Sequence, residues 1–178
     1  RFLRENPDWP EPEVLRRQAE DRIGPEHSPG EVVRYFTAFP PLTSRGHLRR
    51  LEAAQAASPG DVPRFASDSW QTATFRSADE NEFLNRYGQL LKGPDYIARF
   101  DRILRDGRHP VARDLVPKLP PDYQPVAEAR LAMATKAADA PKLVLALPAA
   151  RFNDPAIALE HLQWLRRTGS LDTAKALL

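Results

Sequence analysis

Ser28-Pro29-Gly30-Glu31, followed by Val32, Val33, Phe36 and Phe39, is the stretch that decides the fold. The serine hydroxyl can accept from the Glu31 N–H while the glutamate reaches back to the serine, which is a capping box. Proline occupies the first helical position, where its missing N–H has no partner to lose. Apolar residues then recur at helical spacing. The 18 prolines of the chain therefore mark helix starts as well as interruptions.

Working outward, Ser77-Ala78-Asp79-Glu80 repeats the box without the proline, ahead of Phe83, Leu84, Tyr87 and Leu91. Asp154-Pro155 opens a further helix carrying Ala158, Leu162 and Leu165, with Gly169 as its stop. Val14, Leu15, Ala19 and Ile23 form a stripe ending at Gly24, and Thr43 is placed to cap a helix bearing Leu48, Leu51 and Ala54. Phe65, Ala66, Trp70 and Ala73 make another stripe between Asp61 and Phe75. Ile97, Phe100, Ile103 and Leu104 do so before Gly107. Shorter helices are expected over 109–117 and 140–147, and a longer one over 121–135. The single β-like run, Leu143-Val144-Leu145, follows Asp139-Ala140-Pro141, a helix start, and is read as helix.

The expected fold is all-α, with about eleven short helices joined by loops of a few residues. Short loops force consecutive helices to run antiparallel, so the expected architecture is a tetratricopeptide-like, right-handed-type superhelix of helical hairpins. A faint internal echo supports it: Gly107, Ala112 and Leu115 recur in the same spacing as Gly169, Ala174 and Leu177. Residues 1–178 are expected to form one such domain. The second echo runs to the last residue, and the chain opens on Arg1-Phe2-Leu3-Arg4-Glu5 rather than on a methionine or a signal peptide. More protein is therefore expected on both sides.

Composition narrows the function classes. Hydrophobic residues make up 42% and charged ones 28%, which places the chain among folding globular sequences. No apolar run approaches the length of a membrane span. Cysteine is absent, which excludes disulfides and thiolate sites. The 26 Lys and Arg, mostly arginine, nearly balance the 24 Asp and Glu, with no basic block of the kind a nucleic-acid binder presents.

No constellation for chemistry emerges. His27, His47, His109 and His161 lie too far apart in sequence to present paired imidazoles to a metal, and are expected at surfaces or helix ends, with His161 packing beside Trp164. Glu11, Glu13, Asp79 and Glu80 fall in first helical turns, where they complement the helix dipole. Phosphate-binding glycine loops, nucleophile elbows and cysteine nucleophiles are missing from the sequence. Trp9, in Asn6-Pro7-Asp8-Trp9-Pro10, is expected to staple the first helix. No catalytic, cofactor-binding or metal-binding residue is assigned, no cofactor is expected, and the ligand-binding residues are unknown.

Several of these segments together resemble a known family. Asn6-Pro7-Asp8-Trp9-Pro10, Leu15, Ala19-Glu20, Tyr35-Phe36, and Pro40-Pro41-Leu42-Thr43 with Gly46 and Leu48 are similar to the N-terminal helical domain of soluble lytic murein transglycosylases, especially the alphaproteobacterial type. The similarity continues through Glu82-Phe83-Leu84, Tyr87-Gly88, Leu91, Asp95, Arg99, Asp101, Leu104, Asp106-Gly107-Arg108, Ala112-Arg113 and Ala129-Arg130. The family usually has histidine where Tyr96 stands and tryptophan where Arg105 stands.

The resemblance implies a U-shaped or ring-closing superhelix in the periplasm, ahead of a lysozyme-like domain that cleaves peptidoglycan to 1,6-anhydromuropeptides with a glutamate in a Glu-Ser motif. This chain has no Glu-Ser pair and no Gly-x-Met-Gln element, its one methionine being Met133. The implied role is a non-catalytic scaffold that helps hold murein strands weakly for a downstream catalytic domain. A free-standing tetratricopeptide-like adaptor with a protein partner in its groove is the alternative.

Overall fold

A computed structural model describes residues 12–148 and 154–168, and most of its helices start where local capping chemistry dictates. Ten α-helices and three 3-10 turns account for the regular structure of these residues, with no strand among them. The eleventh expected helix and the second half of the internal echo lie in 169–178, outside the described residues, as do Trp9 and Glu11. The chain divides into two compact units, Arg1–Asp95 and Tyr96–Leu178.

In the first unit, α1 (Pro12–Asp21), α2 (Pro29–Ala38), α3 (Ser44–Ala57), α4 (Val62–Thr72) and α5 (Ser77–Tyr87) follow one another. Ser28 caps α2 as the sequence requires: its hydroxyl accepts from the Glu31 N–H, and Glu31 accepts from the Ser28 N–H at 3.0 Å. Thr43 caps α3, accepting from the Gly46 N–H at 2.8 Å. Ser77 behaves otherwise. It is the first residue of α5, Arg76 is the cap, and no side chain bonds there. A capping hydroxyl must come from the extended residue before the helix, and that residue is Arg76, whose Nε pairs with Asp79 at 3.1 Å.

α3 is the hub of this unit, packed against α1, α2, α4 and α5. It is buried nearly all round, at Gly46, His47, Leu48, Arg50, Leu51, Ala53 and Ala54 among others. A narrow stripe, Arg45, Arg49, Glu52 and Ala56, stays at least partly open to solvent, and the buried arc takes up most of the helix. On one side Val32 and Phe36 of α2 meet Ala53. On the other, Trp70 stacks on Phe83 at 5.6 Å, Phe75 lies 4.9 Å from Phe83, and Tyr87 lies 5.7 Å from Phe83. Offset and tilted rings of this kind add to the burial term.

Four expectations shift here. Val14 is 45% exposed rather than on the buried stripe. Leu84 is only half-buried, and Leu91 falls past a 3-10 turn at Gly88–Leu90 that ends the α5 periodicity. α1 stops at Asp21, ahead of Gly24.

In the second unit, α6 (Gly93–Arg105), which begins at the boundary, precedes α7 (His109–Leu115), α8 (Gln124–Thr135), α9 (Ala140–Leu145) and α10 (Pro155–Arg167). The expected 109–117 helix closes instead with a 3-10 turn at Val116–Lys118, because Pro117 cannot donate to the α ladder. α8 starts at Gln124, later than the sequence suggests, after a turn at 121–123. The Leu143-Val144-Leu145 run is helical, as expected.

α8 is the hub of this unit, packed against α7, α9 and α10. Phe100, Ile103, Ala112, Val126, Ala127, Met133, Ile157 and Leu165 are all buried. Gly107 ends α6 at φ +71°, its N–H bonding Leu104 O and the Arg108 N–H bonding Ile103 O, each at 3.1 Å. Lys136 ends α8 in the same left-handed geometry, at φ 55°. Its N–H meets Met133 O at 3.3 Å and the Ala137 N–H meets Ala132 O at 2.9 Å, so a lysine does what glycine does more cheaply.

Candidate functional site

Each unit is tied by a buried ionic group beside a cavity. In the first, the Glu20 carboxylate on α1 is 1% exposed and receives three donors: the Leu42 N–H at 2.8 Å, the Thr43 N–H at 2.8 Å and the Thr43 hydroxyl at 2.7 Å. Burial of a charge is tolerable when its lone pairs are filled in this way. Thr43 then works in both directions, donating to Glu20 and accepting from Gly46. A side chain at Gly46 would collide with this joint, its Cβ lying 2.9 Å from Glu20 Cδ and 3.0 Å from Thr43 Oγ1. Arg17 adds a bond to Leu42 O at 2.9 Å. Ala19-Glu20, Leu42-Thr43 and Gly46 are thus one physical corner.

Beside it lies a cavity of about 690 Å³ whose walls include Arg17, Thr43, His47, Thr74 and Arg76. His47 is not at the surface, as its spacing suggested. It is 4% exposed, with Nδ1 3.0 Å from Ser69 Oγ, because it lies on the faces of α3 that four neighbouring helices cover. Arg50 is buried alongside, bonding Ser69 at 2.9 Å, Asp68 and Phe65 O. Asp95 ties α4 to the start of α6. Burial pushes its carboxyl up, but bonds from Ser67, the Lys92 N–H and Gln71 outweigh that and hold it below the ordinary 3.8.

In the second unit, Arg130 on α8 is 5% exposed and gathers partners from two other helices and a turn. Its Nε and Nη2 donate to the two oxygens of Glu160 on α10, both at 2.8 Å. Its Nη1 donates to Asp101 on α6 and to the Tyr123 hydroxyl at 2.7 Å. Burial alone would lower the Arg130 pKa, yet the Glu160, Tyr123 and Asp101 groups raise it well above its ordinary value. It is a fixed cation. Burial likewise pushes the Tyr123 phenol up to about 12.

This cluster borders a cavity of about 630 Å³, whose rim carries Arg105, His109 and Arg167 and whose wall carries Leu104, Met133 and Leu159. Such a volume falls within the range of small-ligand sites. His161 stacks 6.1 Å from Trp164, and burial lowers its pKa, in keeping with a packing role.

A glycosidic general acid needs a carboxyl raised by its surroundings. Among the described residues, Glu31, Glu52 and Asp95 are all displaced downward: Glu31 by its bonds to Ser28, Glu52 by Arg86 and Arg49 against the upward pull of burial. Glu160 and Asp101 are occupied in accepting from Arg130. Among the described residues no three of His, Asp and Glu group closely enough to hold a metal ion, and no helix is long and apolar enough to cross a membrane.

Periodicity missed the buried polar residues Glu20, His47, Arg50 and Arg130. Glu20 and Arg130 stood out only within the family resemblance. Comparison with protein-family models, with curated proteins and with solved structures finds no match.

Proposed function

We propose that this chain is the non-catalytic helical scaffold of a periplasmic peptidoglycan lytic transglycosylase, its hairpins continuing as a superhelix that holds murein strands for a downstream lysozyme-like domain. The observation that supports this reading most is the Glu20 corner. Residues that carry the resemblance from positions 19 to 46 are drawn together there through a carboxylate with three donors and a glycine that alone fits against it. The Asp101–Arg130 pair and the Gly107 turn lend the same kind of support in the second unit. All-helical construction around the hubs α3 and α8 is compatible with a framework role.

The test is to incubate the purified chain with intact sacculi. Co-sedimentation that weakens as salt screens the arginines, with no release of 1,6-anhydromuropeptides, is the expected result. Release of those products, with contaminating enzyme excluded, would refute the scaffold reading, and so would an open reading frame lacking a Glu-Ser lysozyme-like segment.

The second reading, a tetratricopeptide-like adaptor, is favoured by one observation. Ala112, five residues after the Gly107 turn in the sequence echo, is fully buried in α7, which packs on α8. A small residue at a helix crossing is the logic of such repeats.

A further inference from the structure

We propose that the cavity of the second unit is a binding site for a carboxylate attached to an apolar body, with Arg105 and Arg167 as its clamp and Leu159, backed by the buried Leu104 and Met133, as the surface for the apolar part. The argument starts from how the two arginines are held. Arg105 Nε donates to Asp101 O at 3.3 Å and Arg167 Nε to Gln163 O at 3.2 Å, each bracing the guanidinium against its own helix one turn back. Their Nη groups make no ion pair with a carboxylate among the described residues, whereas Arg45, Arg50, Arg86 and Arg130 are all committed to carboxylates. A guanidinium fixed through Nε and open at its Nη atoms is ready to receive a planar oxyanion.

The two arginines line the same cavity, so they can serve one ligand. The carboxylates of the floor do not defeat this, because Arg130 already bonds both Asp101 and Glu160. With Arg105 and Arg167 added, cations outnumber anions around the cavity. The wall next to them is apolar, and Leu159 is 55% exposed there, a large hydrophobic side chain left in contact with water. A charged clamp beside an exposed apolar wall selects a ligand that carries both, and burying Leu159 adds to its binding. This site does not depend on the murein reading: an adaptor with the same second unit would carry it equally.

The experiment uses the full 178-residue chain and follows its amide and leucine methyl resonances during titration with an N-acetylated alanine dipeptide acid, its C-terminal amide, hexanoate and inorganic phosphate. Saturable shifts at Leu159 and Gln163 with the dipeptide acid, and binding roughly tenfold or more weaker for the amide, are expected, since a hydrogen-bonded charge is lost. Hexanoate binding without the dipeptide would support the carboxylate site and assign it a non-peptide source. The R105Q/R167Q double variant, altered only at exposed positions and checked for unchanged helicity, should lose roughly tenfold or more in affinity for the acid. R105K/R167K should fall between, retaining charge without the planar fork. Equal binding of acid and amide, equal binding of phosphate, affinity unchanged in R105Q/R167Q, or no saturable shift with either carboxylate at millimolar concentration would overturn the proposal.

Discussion

Replacing Glu20 by glutamine tests the central joint of the first unit. The native carboxylate offers Oε1 to the Leu42 N–H and Oε2 to the Thr43 N–H and hydroxyl. An amide has one oxygen. Whichever way it turns, its NH₂ faces a backbone donor, so at least one N–H of Leu42 or Thr43 loses its acceptor at a site only 1% exposed. A stranded buried donor costs about 1–3 kcal/mol, and weakening of the remaining charge-assisted bonds brings the total to about 2–4 kcal/mol. The change adds no volume, so packing is not the cause of any loss. Urea denaturation should show a lower midpoint with unchanged slope. Amide exchange at Leu42 and Thr43 should accelerate more than at α5, which has no bond to Glu20. Glu26, which is exposed, is the control and should leave both measurements unchanged on the same substitution. A loss below about 0.5 kcal/mol for Glu20→Gln, the range of neutral surface changes, would refute the reasoning.

Ser28→Ala should cost about 0.5–2 kcal/mol while Ser77→Ala is near neutral, because only Ser28 caps its helix; thermal melts of the two variants decide it. Gly46→Ala should cost about 1–3 kcal/mol in chemical denaturation, the range for overpacking, since the Glu20 carboxylate it meets is held by three bonds. Lys136→Gly should stabilise the protein by about 1 kcal/mol by relieving a left-handed lysine, seen as a raised melting temperature. Asp95 titrates below 3.8 in the folded state, so the stability it contributes is present above pH 3.8 and lost as pH falls through its folded value. The stability gap between wild type and Asp95→Asn should therefore be widest near neutrality and close in acid, in urea titrations at stepped pH.

Much of the helical framework is legible in short windows. Ser28 reads as a cap because its partner Glu31 is three residues away, Thr43 because Gly46 is, and Gly107 ends α6 through bonds to Leu104 and Ile103. These interactions lie within one turn of chain, so spacing carries them. Ser77 marks the edge of that logic: its box has the right residues, but the helix starts one position earlier than the box requires, with Arg76 as cap.

What tertiary structure decided involves partners distant in sequence. Glu20 bonds residues 22 and 23 positions on, and Arg130 reaches 29 and 30 positions to Asp101 and Glu160. No periodicity encodes such a match. His47 and Arg50 are buried because α3 is enclosed by four helices, whereas Val14 and Leu84, apolar at helical spacing, find no such enclosure. The left-handed Lys136 shows the same priority: glycine would signal that turn, but the Met133 and Ala132 carbonyls it serves hold a lysine there instead. Sequence alone determined that this chain is helical and where most helices begin, because capping and periodicity act within a turn. Packing around α3 and α8 determined which charges are buried and where the cavities lie, because burial is a property of neighbours that the chain brings together only on folding.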